Sequence, residues 1–240
     1  MADRRPAFYA ATGRAGDWWT LLHPPYTAWH LSYVAIGAAL APRLDAERLV
    51  ATLLAFFLAV GIAAHALDEL NGRPLRTSIP SSVLAAAAAA ALTGAVAIGV
   101  VGVTRVGLVL VPFVVVGAFL VAAYNLELLN GRFHTDAMFA AAWGAFPVLT
   151  AYVAQAERLE VPAVLAAAAA YALSRAQRSL SSSVRFVRRE TSRVDVTLDL
   201  REGGERRAHE ELLLDPPEAA LRTLSWGLPV LAAALVVARI

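Results

Sequence analysis

The chain has 240 residues, of which 58% are hydrophobic and only 17% are charged, and its mean hydropathy is +0.58. A soluble domain of this length needs more polar surface than that to cover its exterior. The absence of cysteine excludes disulfides and zinc–thiolate sites, and the absence of lysine excludes a Schiff-base lysine. The formal charge of +2 is too small to indicate a nucleic-acid partner.

Residues 1–26 are predicted to form an interfacial segment rather than a signal peptide, because no compact apolar core or cleavage site follows the charged start. Trp18 and Trp19, followed by two leucines, are typical of a segment that lies at headgroup depth. Pro24 and Pro25 are expected to end this segment before the first membrane span.

Residues 27–240 are predicted to form a single transmembrane domain, an all-α polytopic helical bundle. About 20 apolar residues suffice for a helix to cross a hydrocarbon core of about 30 Å. We expect about seven spans of this kind, at 27–42, 49–69, 80–102, 106–125, 136–155, 161–180 and 220–238.

A polar connection at about 182–218 interrupts the apolar pattern before the last span. Its alternation of apolar and polar residues around Glu-Gly-Gly-Glu favours a small β-hairpin. Asp215 is a candidate cap for the last helix, with Pro216 and Pro217 in its first turn.

The distribution of arginine predicts the orientation in the membrane. With a cytoplasmic N-terminus, sixteen arginines fall on the cytoplasmic side and five on the other. The long polar connection supplies most of this excess, and the short loops alone give a weaker bias. We therefore expect an integral protein of the plasma or inner membrane, with every motif described below facing the cytoplasm.

The second span ends in HALDELNGRPL, where His65, Asp68 and Glu69 share one helical face. Acids at a helix C-terminus oppose the macrodipole, so helix stability does not explain them. Two carboxylates at this boundary are suited to Mg²⁺, which takes oxygen ligands and shares its shell with substrate phosphates. Asn71 and Arg73 follow, the latter as a phosphate partner. The alternative is an ordinary interfacial turn with solvated charges.

The fourth span ends in AAYNLELLNGRFHTD, so Glu-Leu-Asn-Gly-Arg at 69–73 recurs as Glu-Leu-Leu-Asn-Gly-Arg at 127–132. This repetition predicts two related helix ends that face the same compartment, although Asn-Gly is also a common helix stop. The segment adds Asn125, Arg132, His134 and Asp136 as candidate ligand-binding residues. We interpret His134 as an interfacial turn residue rather than a metal ligand, since no second histidine lies at ligand spacing.

A stripe of arginines follows the sixth span. The helical spacing of Arg175, Arg178, Ser182, Arg185 and Arg189 places them on one face of a continued helix. Such a stripe is suited to binding a diphosphate directly. A juxtamembrane basic segment attracted to anionic lipid headgroups explains the stripe equally well.

Residues 22–155 resemble the UbiA-type prenyltransferase superfamily of intramembrane enzymes. HPPYTAWHLSYVAIGAALAP resembles the first helix of that family, AAHALDELNGRPL its first Asp-rich motif, and the segment from Tyr124 to Pro147 the region after its fourth span. The resemblance implies transfer of a prenyl group from a prenyl diphosphate to an acceptor, with Mg²⁺ on Asp68 and Glu69 as the catalytic acids. It places substrate at His65, Asn71, Arg73, Tyr124, Asn125, Arg132, His134 and Asp136. The arginine stripe adds Arg178 and Arg185 as candidate substrate-binding residues.

The chain departs from the family pattern in three respects. The asparagine of the first family motif falls on Ala64 or His65 here. The family has a second Asp-rich motif near the end of span six, where this chain has YALSRAQRSLSSSVRFVRR without an acid, and Asp195-x-x-x-Asp199 offers only the right interval further on. The family usually has nine spans, against about seven here. A non-catalytic protein that binds an isoprenoid, another lipid or a protein partner is therefore the alternative to an enzyme. Transport has little support, because the spans carry almost no charge at mid-depth.

Overall fold

The computed structural model describes residues 7–240, so the first six residues, with Arg4 and Arg5 of the predicted interfacial segment, lie outside the described residues. The described chain is a bundle of helices with one small hairpin. In chain order the elements are α1 (Gly13–Leu21), α2 (Pro24–Ala39), α3 (Ala46–Leu70), α4 (Ser81–Val106), α5 (Leu108–Asn125), α6 (Asp136–Ala156), α7 (Val161–Arg185, continued by a wide turn Phe186–Glu190), β1 (Val196–Asp199), β2 (Glu205–Ala208) and α8 (Glu211–Val237).

Five of these helices, α3, α4, α5, α6 and α8, are long and apolar enough to cross a membrane. The predicted all-α architecture is therefore confirmed, five helices are suited to a membrane, and the count of seven spans is not confirmed. The two remaining predicted spans differ for physical reasons. Helix α2 has 16 residues, about 24 Å at 1.5 Å per residue, which is shorter than a hydrocarbon core. Helix α7 is apolar in its first half and carries serines and arginines in its second.

Helix α2 lies at the centre of the bundle, between α6 and α8. Its large side chains Trp29 and Tyr33 are almost fully buried, and they pack with Val148 of α6. A Cβ atom at Gly37 would lie 2.3 Å from the carbonyl oxygen of Val148, so only glycine allows this approach of the two backbones. In a lipid environment hydrophobic burial contributes little to helix association, and small residues at helix crossings stabilise it by allowing close backbone packing.

The end of the bundle opposite the sequence motifs is held by Arg48. Its guanidinium pairs with Glu157 at 3.0 Å and donates to the carbonyl oxygens of Ala154 and Arg105. These bonds tie the start of α3 to the ends of α4 and α6. The ends of α3, α5 and α7 and the link between α1 and α2 therefore share the other face of the bundle, as the repeated motif predicts.

Helix α1 is amphipathic and lies against the start of α4 and the end of α3. Leu21 is fully buried against Ala66 and Leu84, whereas Trp18 and Trp19 are exposed. This placement agrees with an interfacial helix. Pro24 begins α2 directly, so the proline pair both ends the segment and starts the next helix.

The polar connection forms the predicted antiparallel hairpin, with Val196 paired to Ala208 and Asp199 paired to Glu205. The last helix, however, begins at Glu211 and not at the proposed cap Asp215, so Pro216 and Pro217 lie inside it. The reason is tertiary: Leu214 is buried in a cluster with two valines of the α7 end, and this packing draws the preceding turn into the helix.

Candidate functional site

A polar cavity of about 320 Å³ lies at the motif face of the bundle, between the ends of α3, α5 and α7 and the N-terminal link. We call it the polar cavity. Eight of the twelve site residues predicted from the sequence line it: His65, Asp68, Asn71, Tyr124, Asn125, His134, Arg178 and Arg185. The other four, Glu69, Arg73, Arg132 and Asp136, do not.

The end of α3 supplies Asp68 and His65 to the polar cavity. The Nδ1 atom of His65 lies 3.1 Å from the carbonyl oxygen of Gly61, and its ring stacks on His23 with centroids 4.3 Å apart. Within residues 7–240 the carboxylate of Asp68 makes no hydrogen bond. Asp68 thus faces the polar cavity without a hydrogen bond that would hold the fold.

Glu69 is directed away from the polar cavity, in contrast to the metal-ligating role expected from the sequence. Its side chain is fully buried, and its two oxygens accept hydrogen bonds from the backbone N–H of Leu75 and from the N–H and hydroxyl of Thr77, at 2.8–2.9 Å. Glu69 therefore organises the loop between α3 and α4. This use explains one of the two carboxylates at a helix end that has no electrostatic need for negative charge.

Arg73 belongs to the same loop. Its guanidinium donates to the carbonyl oxygens of Thr77 and Ile79 and to the hydroxyl of Ser81. These bonds hold the turn that leads into α4. Arg73 therefore stabilises this loop and does not line the polar cavity, in contrast to the phosphate-binding role expected for it.

The two repeated helix ends meet each other. The side-chain amide of Asn71 donates to the carbonyl oxygen of Asn125 at 3.4 Å, and Asn125 donates to Val121 one turn earlier. Arg132, in the second copy of the motif, is exposed and does not line the polar cavity. The ends of α3 and α5 are therefore in contact through Asn71 and Asn125, whereas Asn130, the asparagine of the second copy, is exposed.

Helix α7 and its continuation supply three arginines to the polar cavity: Arg178, Arg185 and Arg189. Arg178 pairs with Asp136 at 2.9 Å, which accounts for the absence of Asp136 from the cavity wall. Arg175, on the same helix, is exposed and outside the cavity. The arginine stripe is therefore divided into a part that faces solvent or headgroups and a part that faces the cavity.

Arg185 carries its charge into the cavity with hydroxyl partners only. It donates to Ser181 and Ser182 at 2.9 and 2.8 Å, and no carboxylate of residues 7–240 forms an ion pair with it. Burial and the neighbouring charges of Arg178 and Arg189 lower the pKa of Arg185 to about 10, so the side chain stays charged at neutral pH. A cation that is half-buried without a counter-charge is suited to an anionic ligand.

The N-terminal link adds cavity residues that the sequence reasoning did not single out. Tyr9 donates its hydroxyl hydrogen to His23 Nδ1 or accepts one from it, and His30 lies on the same wall. Burial, with a contribution from His65, lowers the pKa of His23 well below 6.5, and burial raises the pKa of Tyr9. The available signal was the pair of histidines in HPPYTAWH, polar residues at helical spacing in an apolar span.

Wide helical turns surround the polar cavity. The segments Phe57–Ala64 of α3, Ala141–Ala145 of α6 and Phe186–Glu190 after α7 are all π-helical. Each contributes to the cavity wall, through Val60, Trp143 and Arg189 among others. Such turns are often found at functional sites, because they release carbonyl groups from the regular ladder and widen the helix.

The residues of the polar cavity do not match the two-motif Mg²⁺ site that the resemblance implies. Asp68 supplies a carboxylate, Glu127 lies half-exposed at the rim, and Glu69 is engaged in its loop. Within the described residues no group of three histidine, aspartate or glutamate side chains is placed to hold a metal ion. Asp195 and Asp199, the other acidic candidates, lie on the hairpin, and Asp195 pairs there with Arg193 at 2.5 Å.

An apolar groove of about 640 Å³ adjoins the polar cavity, lined by α3, α4, α5 and α6. We call it the apolar groove. Val60 and Trp143 line both spaces and form the boundary between them. Leu54 and Val101 on the groove wall are about half exposed, at 48% and 56%, so the groove reaches the outer surface of the bundle. A polar space and an apolar space thus share one wall.

Comparison with known proteins adds no relative: no family model, no curated protein and no solved structure matches the chain.

Proposed function

We propose that the protein is an intramembrane prenyltransferase, which transfers an isoprenoid group from a prenyl diphosphate to an acceptor. The observation that carries the proposal is the common boundary of the two spaces at Val60 and Trp143. A molecule with an anionic head and a long apolar chain matches a cationic cavity that adjoins an apolar groove. Prenyl diphosphates have this form, and the resemblance of the α3 motif to the UbiA-type superfamily points to the same class.

The diphosphate is expected to bind at the arginines of α7. Guanidinium groups form paired hydrogen bonds with phosphate oxygens, and these bonds are stronger in a partly desolvated site than in water. Arg185 has only serine partners, and Arg178 is directed to the same cavity although it also pairs with Asp136. Their mutual repulsion is relieved when a dianionic group lies between them.

The isoprenoid chain is expected to lie in the apolar groove, where it replaces lipid contacts with contacts to α3, α4, α5 and α6. Two glycines of the groove wall let side chains pack closely across it: a Cβ at Gly99 would lie 2.7 Å from Val114, and one at Gly117 would lie 3.3 Å from Phe146. The far end of the groove is lined by charged residues such as Glu47 and Arg105, but Leu54 and Val101 on its wall are apolar and exposed, so a chain has access from the bilayer through this wall.

In the proposed reaction the allylic C–O bond of the prenyl diphosphate breaks, and the diphosphate leaves with the electron pair. The arginines of the polar cavity stabilise the charge that develops on the leaving oxygen. A nucleophilic atom of the acceptor forms the new bond to the allylic carbon and loses its proton. Asp68, His65 and His30 line the polar cavity and are groups that can take that proton. No step is assigned to a metal ion, because the donor set does not match one.

A second candidate function is binding of an isoprenoid lipid without chemistry. The hydrogen bonds of Glu69 within its loop favour this candidate. They leave Asp68 as the acid of the first motif that lines the polar cavity, and no second acidic motif lies beside it among the described residues. The two candidates share a ligand class and differ in turnover.

The test is to measure binding and turnover of radiolabelled farnesyl diphosphate by the purified protein in lipid nanodiscs, with and without Mg²⁺. We expect Arg185→Gln to weaken binding at least ten-fold, which corresponds to about 1.4 kcal/mol. Arg175→Gln is the matched control, because Arg175 is on the same helix, is exposed and lies outside the cavity.

Farnesol and inorganic diphosphate separate the contributions of head and chain. We expect farnesyl diphosphate to bind more tightly than either, since each lacks one of the two parts. Equal losses of affinity in the two arginine variants would refute the assignment of the headgroup to the cavity. Binding without release of diphosphate in the presence of membrane lipid extracts would favour the second candidate function.

A further inference from the structure

Three residues that line the polar cavity carry a buried polar atom without a partner among residues 7–240: His23 at Nε2, and Tyr124 and Gln177 on the helices. The hydroxyl of Tyr124 and the Oε1 atom of Gln177 have no hydrogen-bond partner among residues 7–240, and the two side chains are only 4% and 2% exposed. Both residues line the polar cavity. An unpaired buried polar group is costly, so native proteins nearly always provide one with a partner.

Two histidines present further acceptors in the same region. The Nδ1 atom of His30 lies 2.8 Å from the carbonyl oxygen of Trp143, and the Nδ1 atom of His134 lies 3.2 Å from that of Tyr124. A carbonyl oxygen only accepts, so each Nδ1 carries a hydrogen and, in the neutral ring, each Nε2 presents a lone pair. No described residue donates to either Nε2 atom.

Aromatic rings form the walls around these atoms. The ring of Tyr124 stacks on His134 with centroids 4.6 Å apart and meets Trp143 edge-on at 5.8 Å. Phe139 lies 5.8 Å from His30 and 6.1 Å from Tyr124, again measured between centroids. The hydroxyl of Tyr124 and the ring of His30 are therefore set among aromatic rings, and the guanidinium of Arg178 lies over one of these rings, 5.3 Å from the centroid of Phe139.

We propose that Tyr124, Gln177 and His30 form a subsite, here called the hydroxyl subsite, that binds the hydroxyl group of a neutral alcohol or phenol. A hydroxyl both donates and accepts, so it can donate to Gln177 Oε1 or to His30 Nε2 while it accepts from the hydroxyl of Tyr124. A carboxylate only accepts and would face the lone pairs of both acceptors. An ammonium group would be repelled by the arginines of the same cavity.

This inference rests on the proposed function in one respect, namely that the bound hydroxyl compound is the acceptor of the prenyl group. The polar cavity then holds two ligands, with the diphosphate at the α7 arginines and the alcohol at the hydroxyl subsite. In the transfer step the hydroxyl oxygen forms the ether bond to the allylic carbon as the diphosphate leaves, and the hydroxyl proton passes to an imidazole Nε2 atom.

The experiment measures binding of benzyl alcohol and benzyl methyl ether to the full chain in detergent micelles by ligand-observed NMR. The ether keeps the ring and the oxygen but has no O–H to donate. We expect benzyl alcohol to bind about five-fold more tightly than the ether, and Tyr124→Phe and Gln177→Met each to lower the affinity for the alcohol by about the same factor. Tyr171→Phe, on the outer part of α7, is the matched control and is expected to leave the affinity unchanged.

The unfolding midpoint of the same variants distinguishes a ligand-binding role from a structural role, because loss of a structural hydrogen bond would lower it. Because neither atom has a partner in the free protein, Tyr124→Phe and Gln177→Met are expected to leave the unfolding midpoint unchanged or to raise it. If both variants are destabilised, the two atoms hold the fold and the proposal is overturned. If the alcohol and the ether bind equally, or if both variants retain the affinity for benzyl alcohol, the proposal is likewise overturned.

Failure of this inference is distinguishable from failure of the proposed function. Farnesyl diphosphate binding that depends on Arg185, together with no preference for the alcohol, would overturn the hydroxyl subsite alone. Binding of benzyl alcohol that depends on Tyr124, together with no Arg185-dependent binding of farnesyl diphosphate, would overturn the prenyltransferase proposal and leave the hydroxyl subsite in place.

Discussion

The neighbouring acids Asp68 and Glu69 are expected to respond very differently to substitution. In Glu69→Gln the amide oxygen can keep both bonds from Thr77, but the amide NH₂ replaces the oxygen that accepts from the N–H of Leu75 at 2.9 Å. Loss of that charge-assisted bond costs about 1.5–3 kcal/mol, and the weakening of the other two costs about 1 kcal/mol each. The lower cost of burying a neutral amide offsets part of this. We therefore expect the free energy of unfolding to fall by about 2–4 kcal/mol.

The measurement is equilibrium unfolding in mixed micelles by titration with sodium dodecyl sulfate, followed by tryptophan fluorescence. The matched control is Asp68→Asn, because the carboxylate of Asp68 makes no hydrogen bond within the described residues. We expect Asp68→Asn to change stability by less than about 1 kcal/mol and to change ligand affinity instead. A Glu69→Gln protein as stable as the native one, with lost affinity for farnesyl diphosphate, would refute the structural assignment of Glu69.

Three further predictions concern packing, pH and the hairpin. Gly144→Ala should lower the free energy of unfolding by about 1–3 kcal/mol, because its Cβ would lie 2.5 Å from the hydroxyl oxygen of Ser174; unchanged unfolding in dodecyl sulfate would contradict this contact. Burial lowers the pKa of His23 below its ordinary 6.5, so the unfolded chain binds a proton at a higher pH than the folded chain does. The free energy of unfolding is therefore expected to fall as the pH falls below 6.5. His23→Gln should make this pH profile flatter, and an equally steep profile would contradict the assignment. Asp195→Asn and Asp199→Asn should leave the affinity for farnesyl diphosphate unchanged, because both acids lie on the hairpin; a ten-fold loss in a binding assay would restore them as a second acidic motif.

The helix ends at the motif face were predictable because their signals are local. Asn71-Gly72 and Asn130-Gly131 are stop signals that act within one turn, and Gly72 and Gly131 indeed adopt positive φ angles of 93° and 74°. The two copies of the motif were therefore expected on one face, and the bond from Asn71 to Asn125 joins the first copy to the end of α5. The membrane-embedded helical class followed equally directly from the apolar runs.

The number of spans was less predictable, because hydropathy does not distinguish lipid from protein as the apolar environment. Helix α2 is apolar since it is enclosed by α6 and α8, where Trp29 and Tyr33 are buried. Similarly, no local signal near Pro216 indicates that the last helix begins before it. The burial of Leu214 against the α7 end decides that boundary.

Adjacent residues could not be assigned to different roles from the sequence. Asp68 and Glu69 are separated by about 100° around the helix axis, so each is close to the predicted face. The loop after α3 folds back over Glu69 and uses it, while Asp68 remains in the polar cavity. Which acid meets a ligand depends on this loop, whose path no motif specifies.

The sequence by itself determined the class of protein, the positions of most helices and the concentration of polar residues at one face. These depend on hydropathy and on short-range helix signals, both of which can be read from neighbouring residues. Only the tertiary structure decided which side chains share the polar cavity, because Gln177, His30 and Tyr124 come from three helices that are far apart in the chain. The lack of hydrogen-bond partners for Tyr124 and Gln177 has the same origin, since a partner is a property of the packed bundle and not of the residue.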